Sequence, residues 1–203
     1  KRATECMDVV CFIGTGASLN VDHGLTVVPE LMIVKGLATS AWHLYHASLG
    51  PTKYIILNTA TAPVTSSIVW DDTAPTASVF TVDWGAAGTG DTMIAYLFAT
   101  LEGISKVGGY TADGTLTTID CGFAAGARFI LIKRTYDAGD WYVFDSAQGI
   151  IAGNDPYLLL NDDAIQVSDT DYIDPDNSGF DITAAGSTTI NIDTAEYIFL
   201  AIA

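Results

Sequence analysis

Short apolar runs separated by turn-rich segments set the pattern of this 203-residue sequence. The runs are rich in valine, isoleucine, tyrosine and phenylalanine, whereas glycine, serine and threonine fill the segments between them. No window shows the 3.6-residue apolar period of an amphipathic helix. This pattern predicts an all-β chain with a sandwich or jelly-roll-like topology. In the first half, strands are predicted at residues 9–13, 19–21, 31–35, 42–46, 53–58, 67–70, 78–82 and 92–99.

One predicted hairpin occurs twice. The stretch LMIVKGLATSAWHLYH at residues 31–46 has a counterpart in FILIKRTYDAGDWYVFD at residues 129–145. In both copies a lysine, Lys35 or Lys133, follows the apolar run, and a tryptophan opens the return strand. Self-similarity at a fixed spacing is the signature of an internal repeat, here with a period of about 100 residues. The chain is therefore predicted to carry one β-rich unit twice.

The repeat extends well beyond the hairpin and sets the expected domain boundaries. We expect a lead-in segment at 1–8, a first unit at 9–99, a linker at 100–106 and a second unit at 107–203. Two packed domains are favoured over one pseudo-symmetric sandwich. Because the chain begins with Lys1 and its second copy ends at the last residue, we expect a product processed from a longer chain. The further matched positions are Gly16 with Gly114, His23-Gly24 with Cys121-Gly122, residues 54–58 with 157–161, Phe80 with Phe180, and residues 93–99 with 197–203.

The chain is strongly acidic, which restricts its partners. It has 24 Asp and Glu against 8 Lys and Arg, a formal net charge of −16. Nucleic-acid binding needs clustered cations, and the few basic residues here are scattered, so neither nucleic acid nor an anionic membrane is an expected partner. No apolar run reaches the roughly 20 residues of a membrane helix, so membrane insertion is not expected. An acidic surface resists colloidal association and is common in proteins that work outside cells.

Residue patterns typical of catalysis are missing from the sequence. No serine lies in a Gly-x-Ser-x-Gly elbow, and the glycine-rich residues 85–90 lack the lysine and helix of a phosphate-binding loop. His43 and His46 lie three apart on one predicted strand and so face opposite sides, which disfavours a shared metal ion. We therefore expect a non-enzymatic protein without catalytic residues or a bound cofactor.

The cysteines and one acidic segment are candidates for structural or metal sites. Three sparse cysteines, Cys6, Cys11 and Cys121, do not form a disulfide framework, although a Cys6–Cys11 bridge stays open. The acidic segment near the C-terminus resembles the front half of a calcium loop, but Ala185 replaces the bidentate glutamate. A turn leading into a strand is the favoured interpretation, and calcium is the alternative. The candidate calcium ligands are Asp174, Asp176, Ser178 and Asp181.

The tryptophans divide into two classes. Trp42 and Trp141 are matched between the copies and are expected in the cores. Trp70 and Trp84 occur only in the first copy, in or beside loops, and are the candidate residues for contact with a neighbouring subunit or a glycan. Partial burial under a loop is the slightly favoured interpretation for both, with the contact role beside it. The full set expected to be largely buried is Ile33, Trp42, Leu44, Ile56 and Phe80, with Leu131, Trp141, Val143, Leu159 and Phe180.

The repeated elements follow a definite order of turns and strands. In the first copy this order is a GTG turn, an HGL turn, a proline, an IVK strand, a WHLYH strand, a strand ending in Asn58, a PTASVF strand and a closing TMIAYLFA strand. The pattern resembles a repeat of virion structural proteins in tailed phages, especially marine ones. The second copy departs from it at Cys121, at Ala127 and over residues 162–178.

This resemblance implies a particle-associated role. The expected function is that of a tail-fibre or spike module or an outer-surface decoration protein involved in host attachment, located in the virion or outside the cell. The alternatives are a carbohydrate-binding module that recognises host surface glycans and a self-assembling extracellular filament subunit. The resemblance also implies a homo-oligomer, with a trimer favoured, or contact with other virion proteins. It supplies no catalytic residues.

Overall fold

A computed structural model of the chain describes residues 4–38, 41–83 and 85–203. The chain divides into two compact units, one made of Lys1–Asn58 and Pro63–Thr100 and the other of Thr59–Ala62 and Leu101–Ala203. The boundary after Thr100 falls at the predicted linker, but residues 105 and 106 already belong to a strand. The lead-in is also shorter than predicted, because the first strand begins at Met7; residues 1–3 lie outside the described part of the chain.

The first unit contains two antiparallel sheets. Its six-stranded sheet has the order β1-β8-β3-β4-β5-β6, and β2 pairs with β7 in a second, two-stranded sheet. A predicted strand at 67–70 is wrong, because those residues form turns and the neighbouring strand lies at β6 instead. The strands are β1 (Met7–Ile13), β2 (Leu19–Asp22), β3 (Leu31–Gly36), β4 (Trp42–His46), β5 (Lys53–Ile56), β6 (Val64–Thr65), β7 (Val79–Val82) and β8 (Thr92–Phe98).

The second unit also contains two antiparallel sheets. Its five-stranded sheet has the order β13-β12-β11-β16-β9, and its three-stranded sheet has the order β10-β15-β14. The strands are β9 (Ser105–Thr111), β10 (Thr117–Asp120), β11 (Phe129–Arg134), β12 (Trp141–Asp145), β13 (Leu158–Leu159), β14 (Ile173–Asp176), β15 (Gly179–Ile182) and β16 (Glu196–Ile202), with one 3-10 turn at Ala184–Thr188.

The two units share a strand order and a register. Five strands of the first large sheet, β1-β8-β3-β4-β5, correspond in order to β9-β16-β11-β12-β13. Lys35 pairs with Trp42 in the first unit, as Lys133 pairs with Trp141 in the second. The small sheets agree as well, since Val21 pairs with Phe80 in the first unit and Ile119 pairs with Phe180 in the second. They differ at the margins, where β6 adds to the large sheet of the first unit and β14 to the small sheet of the second.

Each unit has its own apolar core, to which both of its sheets contribute. In the first unit Phe80 and Val82 of the small sheet are buried with Met32 and Val34 of the large sheet. In the second unit the cluster includes Phe180, Ile182, Ile130, Ile132 and Phe199. The expected all-β, sandwich-like fold class is confirmed. Among the described residues, no helix is long and apolar enough to cross a membrane.

Half of the residues predicted to be core are fully buried. These are Leu44, Phe80, Leu131, Trp141 and Phe180. The remaining five are only half-buried, so their prediction is corrected. For Ile33, strand alternation contributes: Met32 and Val34 belong to the core cluster of the first unit, and Ile33 lies on the opposite face of the sheet. The half-buried residues are Ile33, Trp42, Ile56, Val143 and Leu159.

Candidate functional site

A lysine and a tryptophan meet at the same corner of each large sheet. The Lys35 ammonium lies 5.9 Å from the centroid of the Trp42 ring, and the Lys133 ammonium lies 5.8 Å from that of Trp141. Both distances are within the range of a cation–π contact. The corner follows directly from the register, because residues paired across antiparallel strands project to the same face.

In the second unit this corner is closed to solvent. Lys133 and Trp141 are both buried, and the Lys133 ammonium donates to the Ala60 carbonyl at 3.1 Å and to the Gly139 carbonyl. Burial lowers the pKa of Lys133 to about 8, and the nearby Asp140 carboxylate opposes this shift. Buried cations persist where carbonyls or carboxylates receive their protons. Through its hydrogen bond to Gly139, Lys133 therefore stabilises the turn between β11 and β12.

An asparagine completes the corner in both units. The Asn58 side-chain carbonyl accepts the Trp42 N–H at 3.1 Å, and that of Asn161 accepts the Trp141 N–H at 2.7 Å. Each asparagine thereby satisfies the backbone donor at the start of a strand. The repeated lysine, tryptophan and asparagine are framework residues in both units.

On the opposite face of the large sheet from this corner, the second unit carries a cluster of three tyrosines, Tyr142, Tyr157 and Tyr172, hereafter the tyrosine cluster. The Tyr142 and Tyr157 rings meet edge to face with centroids 5.1 Å apart, and Tyr157 and Tyr172 stack at 5.6 Å with planes 21° apart. Phe144 lies 5.9 Å from Tyr157. All three tyrosines are half-buried and pack against the core of the second unit. The rings therefore rest on the core and keep part of their surface exposed.

A carboxylate and an amide border the tyrosine cluster. The Asn161 amide donates to the Asp140 carboxylate at 2.9 Å. Burial raises the pKa of Tyr142, and the Asp140 carboxylate raises it further because a second negative charge nearby is unfavourable. The pKa of Tyr157 is raised by burial, by the Tyr172 phenol and by Asp140. Asp140 is thus close enough to act electrostatically on two of the three phenols.

The hydroxyls of the tyrosine cluster differ from those of two other tyrosines in the same unit. The Tyr110 hydroxyl donates to the Ile190 carbonyl at 2.7 Å, and the Tyr197 hydroxyl donates to the Thr189 carbonyl at 2.9 Å. Within the described part of the chain, the hydroxyls of the tyrosine cluster make no such bond to a protein group. The three phenols therefore have donors and acceptors that no described protein group uses.

The loop that carries Tyr172 is anchored by a buried carboxylate. Asp155 accepts the Tyr172 N–H at 2.9 Å and the Ile173 N–H at 3.0 Å, and the Thr170 hydroxyl donates to its backbone carbonyl at 2.6 Å. Burial raises the pKa of Asp155 to about 7, while the two backbone bonds oppose this shift. Asp155 thereby holds the loop bearing Tyr172 against the segment that leads to Tyr157.

Among its described residues, the first unit has no equivalent cluster. The Asp83 N–H donates to the Val69 carbonyl as the Thr183 N–H donates to that of Tyr172, so a valine stands in the place of the third tyrosine. His43 takes the place of Tyr142, with its ring 5.5 Å from Tyr54. Burial lowers the pKa of His43 to about 4, so the imidazole is neutral at pH 7. Ala41 stands where the second unit has Asp140.

This difference between the copies is a signal present in the sequence but not recognised from it. The matched residues indicate the fold, and Trp70 and Trp84 were the residues expected at a surface. The unmatched residues of the second copy, Asp140, Tyr142 and Tyr172, mark the tyrosine cluster once the strand register is known.

Trp70 is not a surface residue, and its predicted role is corrected. Its side chain is 0% exposed, and its ring packs edge to face on Tyr45 with centroids 6.0 Å apart. The turns around residues 67–72 fold this indole into the core of the first unit. The other candidate, Trp84, lies outside the described residues.

The four candidate calcium ligands are engaged in protein hydrogen bonds. Asp176 accepts the Ser178 N–H at 2.8 Å and the Ser178 hydroxyl at 2.5 Å, as expected in the turn of the β14–β15 hairpin. Asp181 accepts the Thr118 hydroxyl at 2.6 Å, and Asp174 accepts the Gly153 N–H at 3.3 Å. Among the residues that the structure describes, no three His, Cys, Asp or Glu side chains are grouped as metal ligands. The turn interpretation accounts for this segment.

Two further features bear on a possible site, namely the cysteines and one cavity in the second unit. All three cysteines are free thiols, so the Cys6–Cys11 bridge is not formed. A cavity of about 250 Å³ in the second unit is bordered by Arg128, Ile150 and Asp176. Its carboxylate is already occupied by Ser178, and no aromatic ring lines it. We therefore regard the tyrosine cluster as the better candidate for a binding site.

The chain was compared with family models, curated proteins and solved structures. A family model described as a domain of unknown function, DUF7483, matches residues 2–203. No curated protein matches the chain, and no solved structure does.

Proposed function

We propose that this chain, which belongs to the DUF7483 family, is a non-enzymatic structural module of a tailed-phage particle that takes part in host attachment. The module is a tail-fibre or spike element or an outer-surface decoration protein, and it works in the virion, outside the cell. It acts as a homo-oligomer, with a trimer favoured, or in contact with other virion proteins.

The observation that supports this proposal is the use made of the repeated residues. The side chains that carry the resemblance to phage virion repeats make contacts that stabilise the fold. Lys133 fastens a turn, Trp141 fills a buried corner and Asn161 caps a strand. Residues that serve the framework in both units suit a protein that acts through its shape and its surface rather than through a reaction.

Protein composition of purified particles tests the proposal. The phage whose genome encodes this chain is grown, banded by density and digested with trypsin, and peptides are identified by mass spectrometry. We expect peptides from both units in the banded particles, at a copy number comparable to that of other tail or surface proteins. Peptides found only in the infected-cell lysate, and not in particles, would contradict the proposal.

A glycan-binding role within that function is favoured by the tyrosine cluster. It gathers three half-buried tyrosines of the second unit, whose hydroxyls make no protein hydrogen bond among the described residues. The two units share a framework, and the second unit adds the tyrosine cluster. This addition gives the second unit a surface suited to contact with a ligand.

A further inference from the structure

We propose that the tyrosine cluster, with Asp140 and Asn161, is a binding site for a pyranose unit of an uncharged glycan. This inference rests on the proposed role in host attachment and names the ligand class and the residues. Three features of the described structure carry it: the arrangement of the rings, the open polar groups at their rim, and the charge around them.

The rings provide the apolar part of the site. Tyr157 is in contact with Tyr142 on one side and Tyr172 on the other, which makes a continuous row of aromatic surface. A pyranose presents C–H groups on one face and hydroxyls around its edge. Tyrosine matches both, because its ring is apolar and its tip is polar, and it has few rotatable bonds to immobilise.

The open hydroxyls provide part of the polar rim. The hydroxyls of Tyr110 and Tyr197 are already occupied by backbone carbonyls, whereas those of the tyrosine cluster make no protein hydrogen bond among the described residues. A phenol can both donate and accept, as can each sugar hydroxyl. A purely apolar ligand would leave these groups without partners, at a cost in free energy.

Asp140 provides a charged acceptor in a fixed position. Its carboxylate is oriented by the Asn161 amide at 2.9 Å. A carboxylate oxygen forms stronger hydrogen bonds with hydroxyl donors than a neutral acceptor does. The same charge disfavours anionic sugars, as does the net charge of −16 on the chain. The site is therefore suited to neutral, hydroxyl-rich sugars rather than to sialylated or sulfated ones.

The site is organised before the ligand arrives. The buried corner of Lys133 and Trp141 fixes the start of β12, which carries Tyr142. Asp155 fixes the loop that carries Tyr172 through two backbone hydrogen bonds. Because these elements are already ordered, ligand binding loses little conformational entropy in loops or side chains. This favours affinity.

The test uses the full chain, fluorescently labelled, on an array of neutral, sialylated and sulfated oligosaccharides. The best neutral binder is then titrated by calorimetry. The variants Tyr142→Phe and Tyr172→Phe remove hydroxyls and keep the rings, and Asp140→Asn removes the charge. The control is Tyr54→Phe, which removes a hydroxyl from the tyrosine of the first unit that matches Tyr157. Circular dichroism and thermal melting confirm that each variant is folded.

We expect binding to neutral glycans, weakened about tenfold by Asp140→Asn, the scale of losing one hydrogen bond to a charged group. The double Phe variant should bind more weakly than either single variant, and Tyr54→Phe should bind as the wild type does. Binding only to anionic glycans, or neutral binding that all these variants leave unchanged, would overturn the site. If no glycan binds while the chain is found in particles, the glycan site fails and the structural role stands. If neutral glycans bind through these residues while the chain is absent from particles, the site stands and the virion role fails.

Discussion

Asp155 holds Tyr172 in place, because both oxygens of its buried carboxylate accept the Tyr172 N–H, at 2.9 and 3.1 Å. The bond joins two loops of the second unit and orders the third ring of the tyrosine cluster. It also places an ionisable group in the interior, with Asp171 and Asp174 as nearby charges that raise its pKa further. The first prediction follows from that burial.

Stability should depend on pH through Asp155. Its pKa is raised from 3.8 to about 7 on folding, so between these values the folded protein binds more protons than the unfolded chain. The stability that Asp155 contributes is therefore fully present below about pH 4 and is lost as the pH rises through 7. We expect the urea midpoint of the wild type to fall relative to that of Asp155→Asn between pH 4 and 7. Parallel midpoints of the two proteins over this range would show that Asp155 does not titrate there.

Replacing Trp141 by alanine should destabilise the second unit by about 3–5 kcal/mol, the usual cost of removing a large buried side chain. The indole is 1% exposed, and it also carries the contact with Lys133. Trp42→Ala is the matched control, because Trp42 occupies the same corner in the first unit but is only half-buried. Denaturant unfolding should show a larger loss for Trp141→Ala. Equal losses would mean that burial does not distinguish the two corners.

Only one thiol should react in the native protein. Cys11 is exposed on β1, whereas Cys6 and Cys121 are buried. Burial also raises the pKa of Cys121 to about 12, which suppresses the reactive thiolate at neutral pH. Titration with a chromogenic disulfide reagent should count one thiol in buffer and three in denaturant. Cys11→Ser should abolish the native signal, and fast reaction of two or three thiols in buffer would be inconsistent with this burial.

The chain should form a homo-oligomer whose interface does not include the Trp70 side chain. Trp70 is 0% exposed within its own unit and cannot reach a neighbour without unfolding that core. Light scattering should give a mass that is a multiple of the single-chain 21.4 kDa, three times that value for a trimer. The conservative variant Trp70→Phe should leave the mass unchanged while lowering stability. A monomer at high protein concentration would contradict the expected assembly.

The sequence was sufficient for the fold class and for the repeated hairpin. Alternation, turn residues and the Lys–Trp spacing are local signals, and local signals fix strands and register well. Burial was harder to predict. Ile33 lies in a continuous apolar run, yet only the face that bears Met32 and Val34 packs on the core. Which face of a strand is covered depends on elements distant in the sequence.

The same limit explains the errors at the candidate site. Trp70 looks like a loop residue in the sequence, and only the tertiary fold brings it under Tyr45. The tyrosine cluster gathers Tyr142, Tyr157 and Tyr172 from three separate segments, and no short motif records their proximity. A repeat also draws attention to what the copies share, whereas the candidate site is formed by residues in which they differ.

In each unit, one set of residues stabilises the fold and a neighbouring set can vary. The lysine, tryptophan and asparagine of each corner hold the sheets, and the residues beside them are free to differ, as Ala41, His43 and Val69 differ from Asp140, Tyr142 and Tyr172. Side chains at these three positions can therefore change in one unit while the contacts that hold each sheet stay the same. Two units built on one framework give the chain a second surface whose chemistry can differ without the fold being redesigned.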